Sequence, residues 1–190
     1  KQYQIARQNV QIINRKCHEL KVQIADLRRL QPDEATTQSL DEAEQAARMY
    51  DANAATGNEV LDVVLTEKSL LCEAQRIRLN CVADGTCLAA IEPGDLYALF
   101  SNLLDQAIDA AAQQQNDRRM IDLLVCRRQG FAVINVIGPA LSGSQSDHGR
   151  RHSYELKVAR RVVQKYSGTM ATEPRGELFA VKIVMPLTRG

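Results

Sequence analysis

The 190-residue chain carries 24 Lys plus Arg against 23 Asp plus Glu, so its global charge argues for neither nucleic acid nor an anionic lipid surface. Its 45% apolar content suffices for a packed core, while 4% aromatics and no Trp argue against a base-stacking platform. The five cysteines, at 17, 72, 81, 87 and 126, are odd in number and make no C-x-x-C, which argues against a disulfide framework or a zinc site and fits a reducing cytoplasm.

Residues 1–56 follow a heptad. Tyr3, Ala6, Val10, Ile13, Cys17, Leu20, Ile24 and Leu27 step by three and four, the spacing of a helix–helix seam. Pro32 with Asp33 breaks the pattern, which resumes at Leu40, Ala43, Ala47, Tyr50 and Ala54. Two seamed helices joined by a short turn form an antiparallel hairpin, and a second copy would complete it as a four-helix bundle. The alternative is a helical arm packed on its own domain.

From Thr56 the pattern changes. Residues 58–76 predict a helix with Val60, Leu61, Val64, Leu65 and Leu71 apolar, followed by an alternating strand, RIRLNCV. Glu92-Pro93-Gly94-Asp95 opens a helix to about Gln114. MIDLLVC and FAVINVI read as strands joined by a turn at RRQG. A polar loop over 138–152 precedes a helix starting near Tyr154, and ELFAVKIVMPL closes the chain as a strand. The order predicts an α+β sandwich, residues 57–190, with its helices on one side of a mostly antiparallel sheet. A loop of that length in a compact domain reads as a functional lid. No apolar run approaches the ~18–20 residues of a membrane span, and a chain starting at Lys1 reads as part of a longer protein.

Two groups of residues suggest chemistry. His18 follows the seam position Cys17 and is turned about 100° off the packing stripe, with Glu19 beside it and Gln23 one turn beyond Glu19. The same residues also read as a solvent-exposed histidine on a charged helix. In SNLLDQAIDAA, Leu96, Leu99, Phe100, Leu103, Ala107 and Ala111 form an apolar face, and Asn102, Asp105, Gln106, Asp109 and Gln113 form a polar row. Carboxylate and amide oxygens in such a row suit Mg²⁺, although any surface helix offers a similar row.

The segments TGNEVLDVVLTEKSLLCEAQRIRLNC, LYALFSNLLDQAIDAA and HSYELKVARRVVQKYSG, in that order, resemble the dimerisation hairpin and GHKL-type (Bergerat) ATPase domain of sensor histidine kinases, most closely the quorum-sensing and LytTR-linked group. The resemblance runs from about Asn9 to the C-terminus. It implies a phosphoacceptor His18 in HELKVQ, with Glu19 as acid/base and Gln23 as a phosphatase-assisting amide. It also implies an ATP and Mg²⁺ site using Asn102, Gln106, Asp109, Asn135, His152, Ser153, Glu155 and Lys157, the metal falling to Asn102 and Gln106. The implied partners are a second copy of the chain and the receiver domain of a response regulator, with no nucleic acid. The implied location is cytoplasmic, anchored in the membrane through an N-terminal sensor region outside this sequence.

Three positions depart from the family pattern. Gln106 stands where Asn binds Mg²⁺, displacing the oxygen by about one C–C bond. Asn135 stands in INVIGPALS, which lacks D-x-G-x-G. His152-Ser153-Tyr154-Glu155-Leu156 replaces H-G-x-G-L, losing glycines that let backbone approach phosphate and placing a carboxylate at the expected helix entrance, where the dipole favours it by ~0.3–1 kcal/mol. The expectation is a kinase core with weakened ATP binding. The alternatives are a pseudokinase or histidine phosphotransferase that does not use ATP, and a dimerisation or docking module.

Overall fold

The computed structural model describes residues 2–28, 39–41, 43, 56–140 and 147–187, with backbone alone at 14, 17, 21, 116 and 147–155. Most of the second arm of the expected hairpin therefore lies outside the described residues. The elements are α1 (Gln2–Arg28), α2 (Glu59–Ala74), β1 (Arg78–Ala83), α3 (Pro93–Ala112), β2 (Met120–Arg128), β3 (Phe131–Pro139), α4 (Asp147–Lys165), β4 (Thr169–Arg175) and β5 (Leu178–Pro186).

The five strands form one sheet in the order β1-β2-β3-β5-β4. Only the β1–β2 pair is parallel, and the other three pairs are antiparallel. Alternation along the strands turns Ile121, Leu123, Val125, Ala132, Ile134, Val136, Val181, Ile183 and Met185 to one side. There they join Leu61, Leu65, Leu99, Phe100, Leu103 and Val163 in a single core. This is the two-layer α+β sandwich that the pattern predicts.

Local chemistry sets the element ends. The Asn58 side chain caps α2 by accepting from the Val60 and Leu61 N–H groups at 3.1 and 3.2 Å. Pro93 occupies the first turn of α3, where its missing N–H costs nothing. The β2–β3 hairpin turns on Gln129 and Gly130, at φ 48° and 83°, with Arg128 and Phe131 paired across it. Positive φ at both central residues matches the strand twist and favours glycine at the second.

The structure departs from the sequence pattern in four places. Leu71 is 38% exposed, and Cys72 turns inward in its stead. α4 begins at Asp147 and β3 runs to Pro139, so helix occupies residues 147–152 of the expected loop. The strand β4, TMATEPR, lies where the pattern predicts no element, with Met170 its one buried residue. Thr56, at the end of the expected hairpin segment, is fastened to the sandwich. Asp62 accepts from both the Thr56 N–H (2.9 Å) and its hydroxyl (2.6 Å), and the Gly85 N–H donates to the Thr56 carbonyl at 2.8 Å.

The fourth departure concerns the seam of α1. Ala6 and Val10 are buried with Val63 of α2 in a small cluster edged by Tyr3 and Tyr97, whose rings lie 5.8 Å apart. Arg7 pairs with Glu59 at 2.5 Å. The first turns of the helix thus pack on this chain's own sandwich. Farther along, Leu20 and Leu27 are about half exposed, at 50% and 49%.

Candidate functional site

His18, Glu19 and Gln23 all lie on exposed stretches of α1. Adjacent helical positions point about 100° apart, and Glu19 reaches back along its own helix rather than towards His18. Its carboxylate accepts from Lys16 Nζ at 2.7 Å, with Arg15 Nε at 3.9 Å. The hydrogen bond from Lys16, then its charge, holds the carboxyl below the usual glutamate range, which makes Glu19 a weaker base. Its negative charge is nevertheless one residue from the imidazole.

On α3 the expected polar row divides. Asn102 is half-buried and donates through Nδ2 to the Ala98 carbonyl at 2.6 Å. Asp109 is half-buried and Gln113 exposed, with Gln113 Nε2 donating to the Asp109 carbonyl. Gln106 is 4% exposed and shares the buried flank of Leu103 and Ala110 rather than the outer row. That burial is a correction to the surface position predicted for it. The helix carries so many small and apolar residues that it is enclosed on three sides, and only a narrow strip remains for solvent.

Asn135 does not join this group. On β3 the residues turned towards the helices are Ala132, Ile134, Val136 and Gly138; a Cβ built on Gly138 would stand 3.7 Å from that of Ala107. Strand alternation puts Asn135 on the opposite face, level with Leu124 and Lys182. The side chains of His152, Ser153 and Glu155 lie outside the described residues. Their backbone does not form a helix entrance, because α4 starts at Asp147. Residue 155 is two turns inside, where an N–H already has an intrahelical partner, so the expected competition at bare N–H groups does not arise there. Lys157 is exposed on the outer side of α4.

A polar cluster between α2 and α3 went unnoticed in the sequence. Lys68 is 5% exposed, and its Nζ meets Asp105 at 2.8 Å and Glu67 at 3.2 Å. The Tyr97 hydroxyl donates to the other Glu67 oxygen at 3.0 Å. Burial pulls the lysine pKa down, but the hydrogen bond and charge of Asp105, then Glu67, outweigh it and hold the ammonium above its ordinary range. A signal was present: Leu61, Leu65, Lys68 and Cys72 follow one helical stripe, so a lysine stands in an apolar phase. Cys72, buried beside it, has its thiol pushed up to about 11 by burial, which leaves it protonated and unreactive at neutral pH.

A second cluster fastens the start of α3 to the end of α4. The Glu92 N–H donates to the Tyr166 hydroxyl at 2.9 Å, and that hydroxyl donates to Asp95 at 2.7 Å. Lys165 Nζ pairs with the same carboxylate at 2.6 Å. Both clusters hold α3 in place, and each of their carboxylates is paired with a lysine. Among the described residues, no group of three or more His, Cys, Asp or Glu side chains could hold a metal ion. Nor is any described helix long and apolar enough to cross a membrane.

Comparison with known proteins gives this geometry a context. No curated protein sequence matches the chain. The catalytic domain of the histidine kinase ThkA superposes with a TM-score of 0.54 at 16% identity, over 70% of this chain and 93% of that one. The Acinetobacter baumannii histidine kinase AdeS superposes with a TM-score of 0.51 at 15% identity, over 90% of this chain and 98% of that one. At such identities the likeness is one of fold. The sequence model of the GHKL domain matches residues 91–186, from the turn before α3 to the end of β5. As that match takes in just over half of the 190 residues, the chain belongs to the GHKL domain family.

Proposed function

We propose that the chain is a histidine-kinase-like core of a two-component relay, in which His18 is the phosphoryl acceptor and the GHKL sandwich binds Mg·ATP weakly. The observation that carries this reading is the exposed His18 on a long helix joined to a sandwich of that family. A neutral imidazole nitrogen attacks phosphorus as the bond to the leaving oxygen breaks, and the cation that forms is stabilised by the nearby Glu19 carboxylate. The half-exposed Leu20 and Leu27 support pairing of α1 with a second copy. Arg15 and Lys16 beside His18 would face an acidic receiver domain.

Weak nucleotide binding is supported by three positions among the described residues. Gln106 is buried, Asn102 is tied to its own helix, and Asn135 faces away from both. Those positions favour a second reading, a histidine phosphotransferase that takes its phosphoryl group from the aspartyl phosphate of a receiver domain. In that transfer the O–P bond breaks, an N–P bond forms at His18, and the aspartate carboxylate is released.

Labelling separates the two. Incubation with γ-labelled ATP tests the kinase reading, and incubation with a phosphorylated receiver domain tests the second; His18→Ala abolishes the label in either case. Calorimetric titration with Mg·ATP giving micromolar affinity would refute weak binding. Absence of phosphohistidine under both conditions would refute the relay itself and leave a docking module.

A further inference from the structure

The α1 seam is used in two ways. Its spacing suits pairing with another helix over its whole length, yet Tyr3, Ala6 and Val10 are spent on α2 and α3 of the same chain. A side chain packed against Val63 cannot also fill a hole in a neighbouring helix. The contact with the sandwich is small. A groove of about 860 Å³ runs along the contact from Gln2 to Ile13, with Lys68, Tyr97, Ser101 and Asp105 on the sandwich side, so the two surfaces meet over only part of their length. The Arg7–Glu59 pair at its edge is largely solvated, with side chains 45% and 61% exposed, and contributes little holding power. So few buried side chains make a reversible contact.

We propose that the first three turns of α1 are a latch. Docked on α2 and α3 through Tyr3, Ala6 and Val10, they hold the sandwich beside the helix that bears His18. Undocked, the same three residues pair with α1 of a second copy. The two states compete for one stripe, so whatever strengthens pairing releases the sandwich, and the reverse holds by reciprocity. The occupant of the released stripe is a second copy because the stripe continues in heptad register to Leu20 and Leu27, which are half open to solvent in the docked form, although Ile24 between them is buried. This inference rests on the dimer reading given above.

Two substitutions on the sandwich side test it without touching the seam. Val63 belongs to the small cluster with Ala6 and Val10 rather than to the main core, so Val63→Asp strikes the latch alone. Glu59→Arg, at an exposed site, sets like charges against Arg7, and adding Arg7→Glu restores the pairing. Hydrogen exchange reads docking, and sedimentation equilibrium reads self-association. The latch predicts at least tenfold faster exchange in the first three turns of dilute, monomeric α1 for Val63→Asp, and a smaller, roughly two- to threefold, rise for Glu59→Arg at its exposed pair. It also predicts tighter self-association, by up to about tenfold for Val63→Asp, the equivalent of 1.4 kcal/mol. Both effects revert in the Arg7→Glu/Glu59→Arg pair. Self-association unchanged while the unsubstituted chain dimerises would overturn the latch alone. A chain monomeric in every form would overturn the dimer reading, and the exchange of partners with it.

Discussion

Replacement of Asp105 by alanine isolates the buried ion pair between α2 and α3. At 2.8 Å and an effective dielectric of ~20, the gross attraction between Lys68 and Asp105 is about 6 kcal/mol. Most of it offsets the cost of taking the ammonium out of water, for its side chain is 7% exposed. Asp105→Ala removes the compensation and leaves the cost. Such losses run to ~3–5 kcal/mol. The lower end applies, because the Asp105 side chain is 31% exposed and water can enter the vacated space, while Glu67 at 3.2 Å remains. We expect a loss of ~3 kcal/mol, or roughly 10 °C in Tm for a domain of this size. Urea unfolding followed by circular dichroism measures it. Lys68→Met in the same background removes the stranded charge and should recover all but ~1 kcal/mol. A loss below ~0.5 kcal/mol for Asp105→Ala, or a double variant no more stable than the single one, would refute the account of Lys68.

The same pair sets an alkaline limit. Because the folded pKa of Lys68 is raised, its stabilisation is complete below the unfolded value near 10.4 and is lost as pH climbs through the folded one, so unfolding free energy should fall more steeply above about pH 10.5 in the natural chain than in Lys68→Met. Tyr166→Phe should cost ~1–2 kcal/mol, since it leaves the Glu92 N–H and Asp95 short of a partner; thermal melts at neutral pH check it. Gly168→Ala should destabilise by ~1–3 kcal/mol, its new methyl falling 2.5 Å from Met185 Cγ and 2.9 Å from the Val184 carbonyl. Gly138→Ala, whose nearest neighbours stand at 3.7 and 3.9 Å, should stay within ~0.5 kcal/mol in the same denaturation series. Leu20→Asp should shift sedimentation from dimer to monomer if α1 pairs as proposed, with no loss of sandwich stability, since Leu20 is half exposed.

Most of the sandwich was legible because its elements carry a full period of apolar residues, whereas β4, with Met170 alone buried in TMATEPR, was not predicted. α3 was read almost to its last residue from Leu96, Leu99, Phe100, Leu103, Ala107 and Ala111, all of which are buried. The α4 start was not legible, since DHGRRHSY contains no apolar stripe and has a glycine inside the helix, the usual mark of a loop. Gln106 misled for another reason. Its polarity argued for the surface, whereas its burial is set by tertiary packing that no local pattern reveals. The α1 stripe announced a partner without naming it: three-and-four spacing is the same whether the opposing surface is a second helix or the flank of α2. Asn135 shows the limit of motif reading, since one residue of register decides which side of a sheet a side chain occupies.

The lone parallel pairing also bears on how the chain reaches this form. β2 with β3 and β4 with β5 are joined by two-residue turns, so their ladders close over short lengths of chain, whereas β1 reaches β2 only after the whole of α3 has intervened, Arg78 meeting Met120. Closing that loop and closing the comparable one that brings Pro139 of β3 to Leu178 of β5 are the slow, entropically costly events, and we expect pulse-labelled amides within the two hairpins to gain protection before those of β1 and of the β3–β5 ladder. Val82, 70% exposed on this outermost strand, would then mark the last margin to be zipped in folding and the first to open under load. The histidine-bearing helix, tethered upstream of that margin, would find its berth only on a platform already assembled.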